Sequence, residues 1–572
     1  MTGIDYFVLV IYFMGLIAVS LLVSRRIKSS SDMFMASGNS SWWLSGMSTY
    51  MTIFSASTFV VWGGVAYKSG LVAVLIGNIV GVACYFAGRF VAGRWHHISL
   101  KSPGEFIKIR FGDRSLSFYS IVGMLGKGVH AAVALYAVSV VMSTLITLPA
   151  GSPFANPEGH LAVSWAVVIL GLITLIYTIA GGFLAVLMTD VIQFGVLISV
   201  VIFMIPLSLH AVGGLNGFIS GAPEGYFVPV SGDYPWFWLI LWLGLNCFQL
   251  GGDWPYVQRY LSVPRASDAR KSNYLVAVLY ILTPVIWYLP AMAYRQIDPS
   301  ANPEQAYVLM SQTVLMKGML GVILASMISA TLSCVSGTLN VFANVFTCDI
   351  YGRRHPNISE KKKISIGRLF TLFFGLSVLI VGLLIPYAGG AEKVVVTILT
   401  MVIAPLYIPS VWGLFSKRIR GRDVLLIMGI TYAVAVSGKF TYAHYLNPQV
   451  FEATCGFVIP VLLLSLTEFV LRRRGYEDPR DAEVQAVTTV EGVVMTPEQK
   501  RGVKSYSVLA VKCFVLTLAG IAILLTGLLL FDRGGAYRSD PFVLRTMAVT
   551  AAVMLALFVA FYLWRFIDSR KS

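Results

Sequence analysis

The chain has 572 residues, of which 57% are hydrophobic and only 12% charged, with a mean hydropathy of +0.76. Repeated apolar runs of about 20 residues match the hydrocarbon thickness of a bilayer, so this composition excludes a water-soluble globule. The formal charge of +16 collects in loops and is a topological signal, so it gives no support to a nucleic-acid partner.

Windows of about 19 residues predict spans at 5–23, 43–66, 71–94, 115–146, 161–180, 183–208, 235–253, 274–294, 316–349, 368–388, 394–415, 423–442, 453–471, 507–531 and 542–566. These are fifteen membrane helices. Met1 to Tyr6 carries no positive segment and the first apolar run leads straight into Arg25 and Arg26, so the first span is expected to be retained rather than cleaved. Arg25-Arg26-Ile27-Lys28, Arg94 to Arg114, Gln258 to Lys271, Arg353 to Arg368, Lys417 to Arg422, Arg472 to Arg474 and Arg570-Lys571 all fall on one side if the spans alternate. The excess of Lys and Arg marks that side as cytoplasmic. The expected location is the plasma membrane, or the inner membrane of a bacterial cell, with the N-terminus outside and the C-terminus inside.

In the second span, Gly46 to Thr58 is rich in Gly, Ser and Thr at mid-depth, and Gly244 to Asp253 repeats that character five spans later. Five is odd, so the two segments run in opposite directions, as an inverted repeat requires. A helix broken inside a membrane frees carbonyl and amide groups that a cavity, an ion or a solute must satisfy.

Lys127 and His130 in the fourth span are three residues apart and share a helix face. Two potential cations beside a midplane cavity would suit a carboxylate. Asp190 in the sixth span is an intramembrane carboxylate, which costs about 2.5–3.5 kcal/mol on insertion scales and therefore requires a partner or a task.

The ninth span contains Ala330-Thr-Leu-Ser-Cys-Val-Ser-Gly-Thr-Leu-Asn340. Ser333 and Ser336 stack on one face, with the carbonyl of Ala330 one turn below Ser333. That face offers oxygen ligands to a hard monovalent ion.

Residues 472–506 are polar, with Pro479 and Pro497, and read as a cytoplasmic linker before two appended helices in 507–572. The six cysteines, Cys84, Cys247, Cys334, Cys348, Cys455 and Cys513, lie in apolar segments without metal-type spacing and are expected as free thiols. No H-E-x-x-H, G-x-S-x-G or P-loop pattern is present, so an enzyme is not expected.

The run Tyr177 to Gln193 resembles the signature of the sodium/solute symporter family, as do Trp42-Trp43, Val257-Gln-Arg-Tyr-Leu261 and Phe346-Thr-Cys-Asp-Ile-Tyr351. The similarity extends over residues 1 to about 475 and covers the transport core, 1–471. It implies an all-α, leucine-transporter-type fold with inverted five-helix repeats over about 43–208 and 235–415. It also implies secondary active import of a small organic solute by symport with sodium, through alternating access.

Matched motif to motif, the resemblance places sodium ligands at the backbone of Met51, Phe54 and Ala330 and the hydroxyl of Ser333. A second family hydroxyl falls on Cys334, a poor ligand for a hard cation, so either the site works with four oxygens or Ser336 or a water substitutes. Asp190 with Ser333 and Ser336 matches part of a second sodium site, where Gly337 replaces a hydroxyl. The expected solute contacts are Ser55, Ser57, Thr58, Asn78, Lys127, His130, Asn246 and Gln249. Ser57, Thr58, Gly77 and Tyr280 stand where the family's neutral-sugar transporters carry other polar groups, whereas Ser55 and Thr58 resemble carboxylate-binding hydroxyls of its sialic-acid branch. The leading solute is therefore an anionic sugar, such as a sialic acid or a uronate. Sodium-coupled organic-acid transport and proton coupling are the alternatives.

Overall fold

The computed structural model describes the chain apart from residues 25–37, 39, 99, 101, 150, 317, 356, 389–390, 443–446, 489–494, 534–539 and 572. The side chains at 177, 180–182, 353, 440, 442, 498, 531–533 and 562–571 also fall outside the description. The cluster Arg25 to Lys28 lies outside the described residues.

Twelve helices among the described residues are long and apolar enough to cross a bilayer, and Val163–Ile176 and Trp236–Gly252 are shorter apolar helices. The expected span 43–66 is interrupted and so has no single long helix, and the helices are roughly consistent with the expected fifteen spans. The main helices are α1 (Gly3–Ser24), α2 (Trp42–Ile53), α3 (Gly63–Ser69), α4 (Leu71–Phe86), α5 (Pro103–Phe111), α6 (Asp113–Leu145), α7 (Val163–Ala211), α8 (Trp236–Gly252), α9 (Trp254–Leu261) and α10 (Ala266–Leu282). They continue as α11 (Pro284–Ile297), α12 (Leu320–Asn344), α13 (Glu360–Leu384), α14 (Ala391–Thr397), α15 (Ala404–Gly413), α16 (Gly421–Tyr442), α17 (Ile459–Arg473), α18 (Arg480–Ala486), α19 (Pro497–Arg533) and α20 (Pro541–Lys571). One helix, α7, runs through both expected spans 161–180 and 183–208.

At the centre stands α12, buried at every position from Gly321 to Asn344. Its small and hydroxyl side chains allow α1, α2, α6 and α7 to pack on it from several sides. Peripheral helices instead leave large apolar side chains exposed, such as Phe7, Ile240 and Leu462. Such faces suit lipid rather than water.

The two broken spans have different local causes. No Pro or Gly lies between Ile53 and Thr58, yet α2 ends at Ile53 and Phe54 is extended (φ −79°, ψ 137°). Serine hydroxyls compete there for backbone groups, with the Ser57 amide donating to Ser55 Oγ at 3.3 Å. A π-helical stretch, Thr58–Trp62, follows before α3. The second break is sharper in its chemistry. Pro255 has no amide to continue α8 and would press on the carbonyl four residues back, so Asp253 turns extended (φ −69°, ψ 126°) and α9 starts anew. Gly252 is required at this point, because a Cβ would lie 2.9 Å from Val411 Cγ2 and 3.1 Å from the Tyr407 carbonyl oxygen.

The polar stretch after α17 is more ordered than a free linker. Arg110 on α5 is fully buried and donates to Asp478 Oδ2 at 3.3 Å and to the Ser416 carbonyl at 2.8 Å. The Asp478 amide donates to the Lys417 carbonyl at 2.9 Å. Helix α19 begins at Pro497, ten residues before the expected 507, and packs on α7. His210 Nε2 and Asp540 Oδ2 are 3.2 Å apart at the start of α20. All six cysteines are free thiols.

Candidate functional site

At the first break the backbone is handed to the central helix. The Phe54 amide still bonds the Tyr50 carbonyl at 2.9 Å, but the Ala56 amide donates to Thr331 Oγ1 of α12 at 3.1 Å. Ala330 and Ser333 flank this contact on α12, and Met51, Phe54, Ala330 and Ser333 are all fully buried. Among the described residues no side chain donates to the carbonyl of Met51 or Phe54. Ser336 donates to the Ser333 carbonyl at 3.2 Å, whereas Ser333 Oγ has no hydrogen-bond partner among the described residues. Cys334 is buried.

Two carbonyls just before the extended residue of the second break are capped. Trp95 Nε1 donates to the Gly251 carbonyl at 2.7 Å and Tyr260 OH to the Leu250 carbonyl at 2.6 Å. Met51 and Leu250 each lie three residues before the extended residue of their break, Phe54 and Asp253. One break thus has its polar ends closed by aromatic donors and the other leaves them available.

Asp190 of α7 lies between α2, α9 and α12. Ser48 donates to its Oδ2, Arg259 Nε donates to Ser48 Oγ at 2.9 Å, and the Arg259 guanidinium stands 3.7 Å from the carboxylate. Ser333 lies beside the same carboxylate. Arg259 also donates to the Pro255 carbonyl at 2.8 Å. A Cβ on Gly337 would sit 3.2 Å from the free end of this guanidinium, so Arg259 fills the space that a hydroxyl side chain would take.

Next to the breaks is a cavity lined by Ser55, Ser57, Thr58, His130, Asn246 and Gln249, with Gly77, Tyr256, Tyr280 and Trp287 among its other walls. Tyr50 holds the far wall, accepting from Trp287 Nε1 at 3.0 Å and lying 3.0 Å from the Thr283 hydroxyl.

A family model for the sodium:solute symporter family matches residues 33–429. This chain belongs to the sodium:solute symporter family. The sodium/sialic acid symporter NanT of Aliivibrio fischeri is 26% identical over 456 residues, covering 76% of this chain and 86% of that protein. Sodium/myo-inositol cotransporter 2 of Sus scrofa is 25% identical over 481 residues, covering 74% and 68%. A solved structure, described as the substrate-bound outward-open state of a Na+-coupled sialic acid symporter, matches with a TM-score of 0.69 at 21% identity, covering 82% of this chain and 98% of that one. The last likeness is one of fold.

The symporter is thus a transporter rather than an enzyme, and sodium is its co-transported ion. Its expected solute residues divide. Ser55, Ser57, Thr58, His130, Asn246 and Gln249 line one cavity, but Lys127 and Asn78 do not. Lys127 Nζ donates to Asp253 Oδ2 at 2.7 Å, with both side chains buried, so its charge is already matched and it offers no free cation to a solute. Its spacing from His130 on one helix face does not carry it to the cavity, because a long side chain follows its counter-ion. Asn78 has a buried carbonyl oxygen without a partner. Thr331, Arg259 and Asp253 were missed as site residues. Each depends on a partner more than a hundred residues away in sequence, which no local pattern announces.

Proposed function

We propose that this symporter imports a small sugar-type solute together with sodium held between the break after α2 and the hydroxyl face of α12. The observation that carries the reading is the Ala56 amide to Thr331 Oγ1 bond, which joins uncapped carbonyls at Met51 and Phe54 to the helix bearing Ala330 and Ser333. Carbonyl and hydroxyl oxygens are the ligands that a hard cation prefers. Ser336 keeps lone pairs free to take part, while the Cys334 thiol contributes little.

Sodium entering from outside would tie the two elements and thereby stabilise the state in which the solute cavity is formed. Asp190 is already matched by Ser48 and Arg259, so the reading assigns one sodium per cycle. One charge crossing 100 mV supplies about 2.3 kcal/mol, and a tenfold gradient adds about 1.4 kcal/mol. Their sum of about 3.7 kcal/mol sustains about 500-fold accumulation of an uncharged solute. The sugar class is supported by the named relatives and by the hydroxyl, amide and aromatic lining of the cavity. In this reading the basic loops face the cytoplasm and the N-terminus lies outside the plasma membrane.

The test is uptake into proteoliposomes under an imposed sodium gradient, with a panel of neutral sugars, polyols and sugar acids. Sodium-driven accumulation that is lost in Ser333→Ala supports the proposal. Accumulation that persists when potassium or choline replaces all sodium overturns it in favour of proton coupling.

A further inference from the structure

The solute cavity has no charged wall. Among the described residues lining it there is no Lys, Arg, Asp or Glu, and His130 is its only imidazole. The nearest cation, Lys127, is held by Asp253 at 2.7 Å, and its ammonium lies 5.6 Å from the ring centroid of Tyr256. Tyr256 itself lines the cavity, whereas Lys127 and Asp253 do not, so the ion pair lies beside the wall rather than in it. A matched pair there leaves little net field in the cavity.

What remains at the wall is neutral and directional. The His130 Nδ1 is buried without a partner, so the imidazole has hydrogen-bonding capacity left to spend. Gln249 adds an amide, and Ser55, Ser57 and Thr58 add hydroxyls. Trp62, Trp242, Trp287 and Tyr288 supply flat apolar faces, with Trp62 and Trp242 at a centroid distance of 5.7 Å. Such faces pack against the C–H side of a ring, while the polar tips receive its hydroxyls. A carboxylate placed there would lose its water without meeting a counter-ion.

We propose that the cavity selects an uncharged, ring-shaped polyhydroxyl solute, and that Asp253 is the residue which sets this preference, by holding Lys127 away from the solute space. The inference rests on the symport reading above and narrows it: the anionic sugar suggested by Lys127 and His130 in the sequence is the class that Asp253 excludes. Asp253 acts through Lys127 and is a positioning residue. Its isosteric amide would keep the shape of the break while releasing the ammonium.

The experiment compares matched pairs that differ by one carboxylate: glucose with glucuronate, galactose with galacturonate, and mannose with mannuronate, plus myo-inositol and N-acetylneuraminate. Sodium-dependent binding to the purified full chain is read by quenching of the cavity tryptophans, and uptake is read in proteoliposomes. At least one neutral ring is expected to bind tenfold or more tightly than its acid twin. Asp253→Asn is expected to reduce that ratio at least fivefold by admitting the acid. Lys127→Met/Asp253→Asn, which has no charge to release, should restore discrimination and provides the readout if the single variant does not fold. An acid bound more tightly than its neutral twin by the wild type, absence of binding by every neutral ring, or a double variant that accepts acids overturns the proposal. Sodium-driven uptake of an acid in preference to its neutral twin would sink this inference and leave symport standing. Loss of every sodium response, including sodium-dependent thermal stabilisation, would sink the symport reading itself.

Discussion

Thr331 accepts the amide of Ala56 at 3.1 Å, so a backbone-to-side-chain bond anchors the interrupted second span to the central helix. Thr331→Val keeps the shape and removes the acceptor. It leaves a buried amide unmade, at a cost of about 1–3 kcal/mol. The expected result is a lower thermal midpoint, together with a rise of about tenfold in the sodium concentration for half-maximal uptake.

Cys334 follows Ser333 on α12 and stands where the resemblance puts a second ligand hydroxyl. Exchanging its sulfur for oxygen adds a ligand of the kind that a hard cation prefers. Cys334→Ser should therefore lower the half-maximal sodium concentration by several-fold, whereas Ser333→Ala raises it by about tenfold or more. Sodium-titrated uptake with both variants checks the opposite signs, and no change in either would remove α12 from the ion site.

Asp190 and Arg259 are both fully buried, with Ser48 between them. Removing one partner of such a pair leaves an uncompensated charge and costs about 3–5 kcal/mol. Asp190→Asn should accordingly lose much of its thermal stability. Arg259→Met in the same chain should recover a large part, in a double-mutant cycle measured by thermal unfolding in detergent.

Burial lowers the pKa of Arg110, and the carboxylate of Asp478 opposes that shift. The guanidinium depends on this contact to remain charged in its buried position. Asp478→Ala is expected to free the segment after α17 from α5, and limited proteolysis between residues 475 and 506 should quicken at least several-fold. An unchanged cleavage rate would mean that the docking contributes nothing to the order of that segment.

Lys68 and Glu392 meet at 3.2 Å with side chains 50% and 30% exposed. A pair so open to water contributes about 0–1 kcal/mol. Lys68→Met should leave the thermal midpoint nearly unchanged, and the contrast with Asp190→Asn tests whether burial decides the size of these effects.

Much of this architecture was legible in the sequence because lipid imposes a strict length and polarity on every crossing segment. The ends of the spans came from hydropathy, and the first break was expected within Gly46 to Thr58, where it falls at Phe54. The second break was expected somewhere in Gly244 to Asp253 and falls at its last residue, where Pro255 forbids continuation. The six cavity residues were legible as polar groups on broken or facing spans. Lys127 was misplaced because charge alone does not say whether a counter-ion is near, and Asp253 is 126 residues away. The signal that was present, an aspartate at a break beside an intramembrane lysine, becomes visible only when the two are considered as a pair.

The inverted repeat would by itself produce two equivalent ends of broken helix, yet Trp95 and Tyr260 plug just one of them. A duplicated scaffold has in this way been made functionally lopsided by two aromatic side chains. The plugged half is suited to serve as a hinge of fixed shape, and the open half keeps the vacant electron pairs. Tyr260→Phe would leave the Leu250 carbonyl as open as that of Met51, and a second sodium response appearing in that variant would show that the aromatic plug is what keeps the two breaks different.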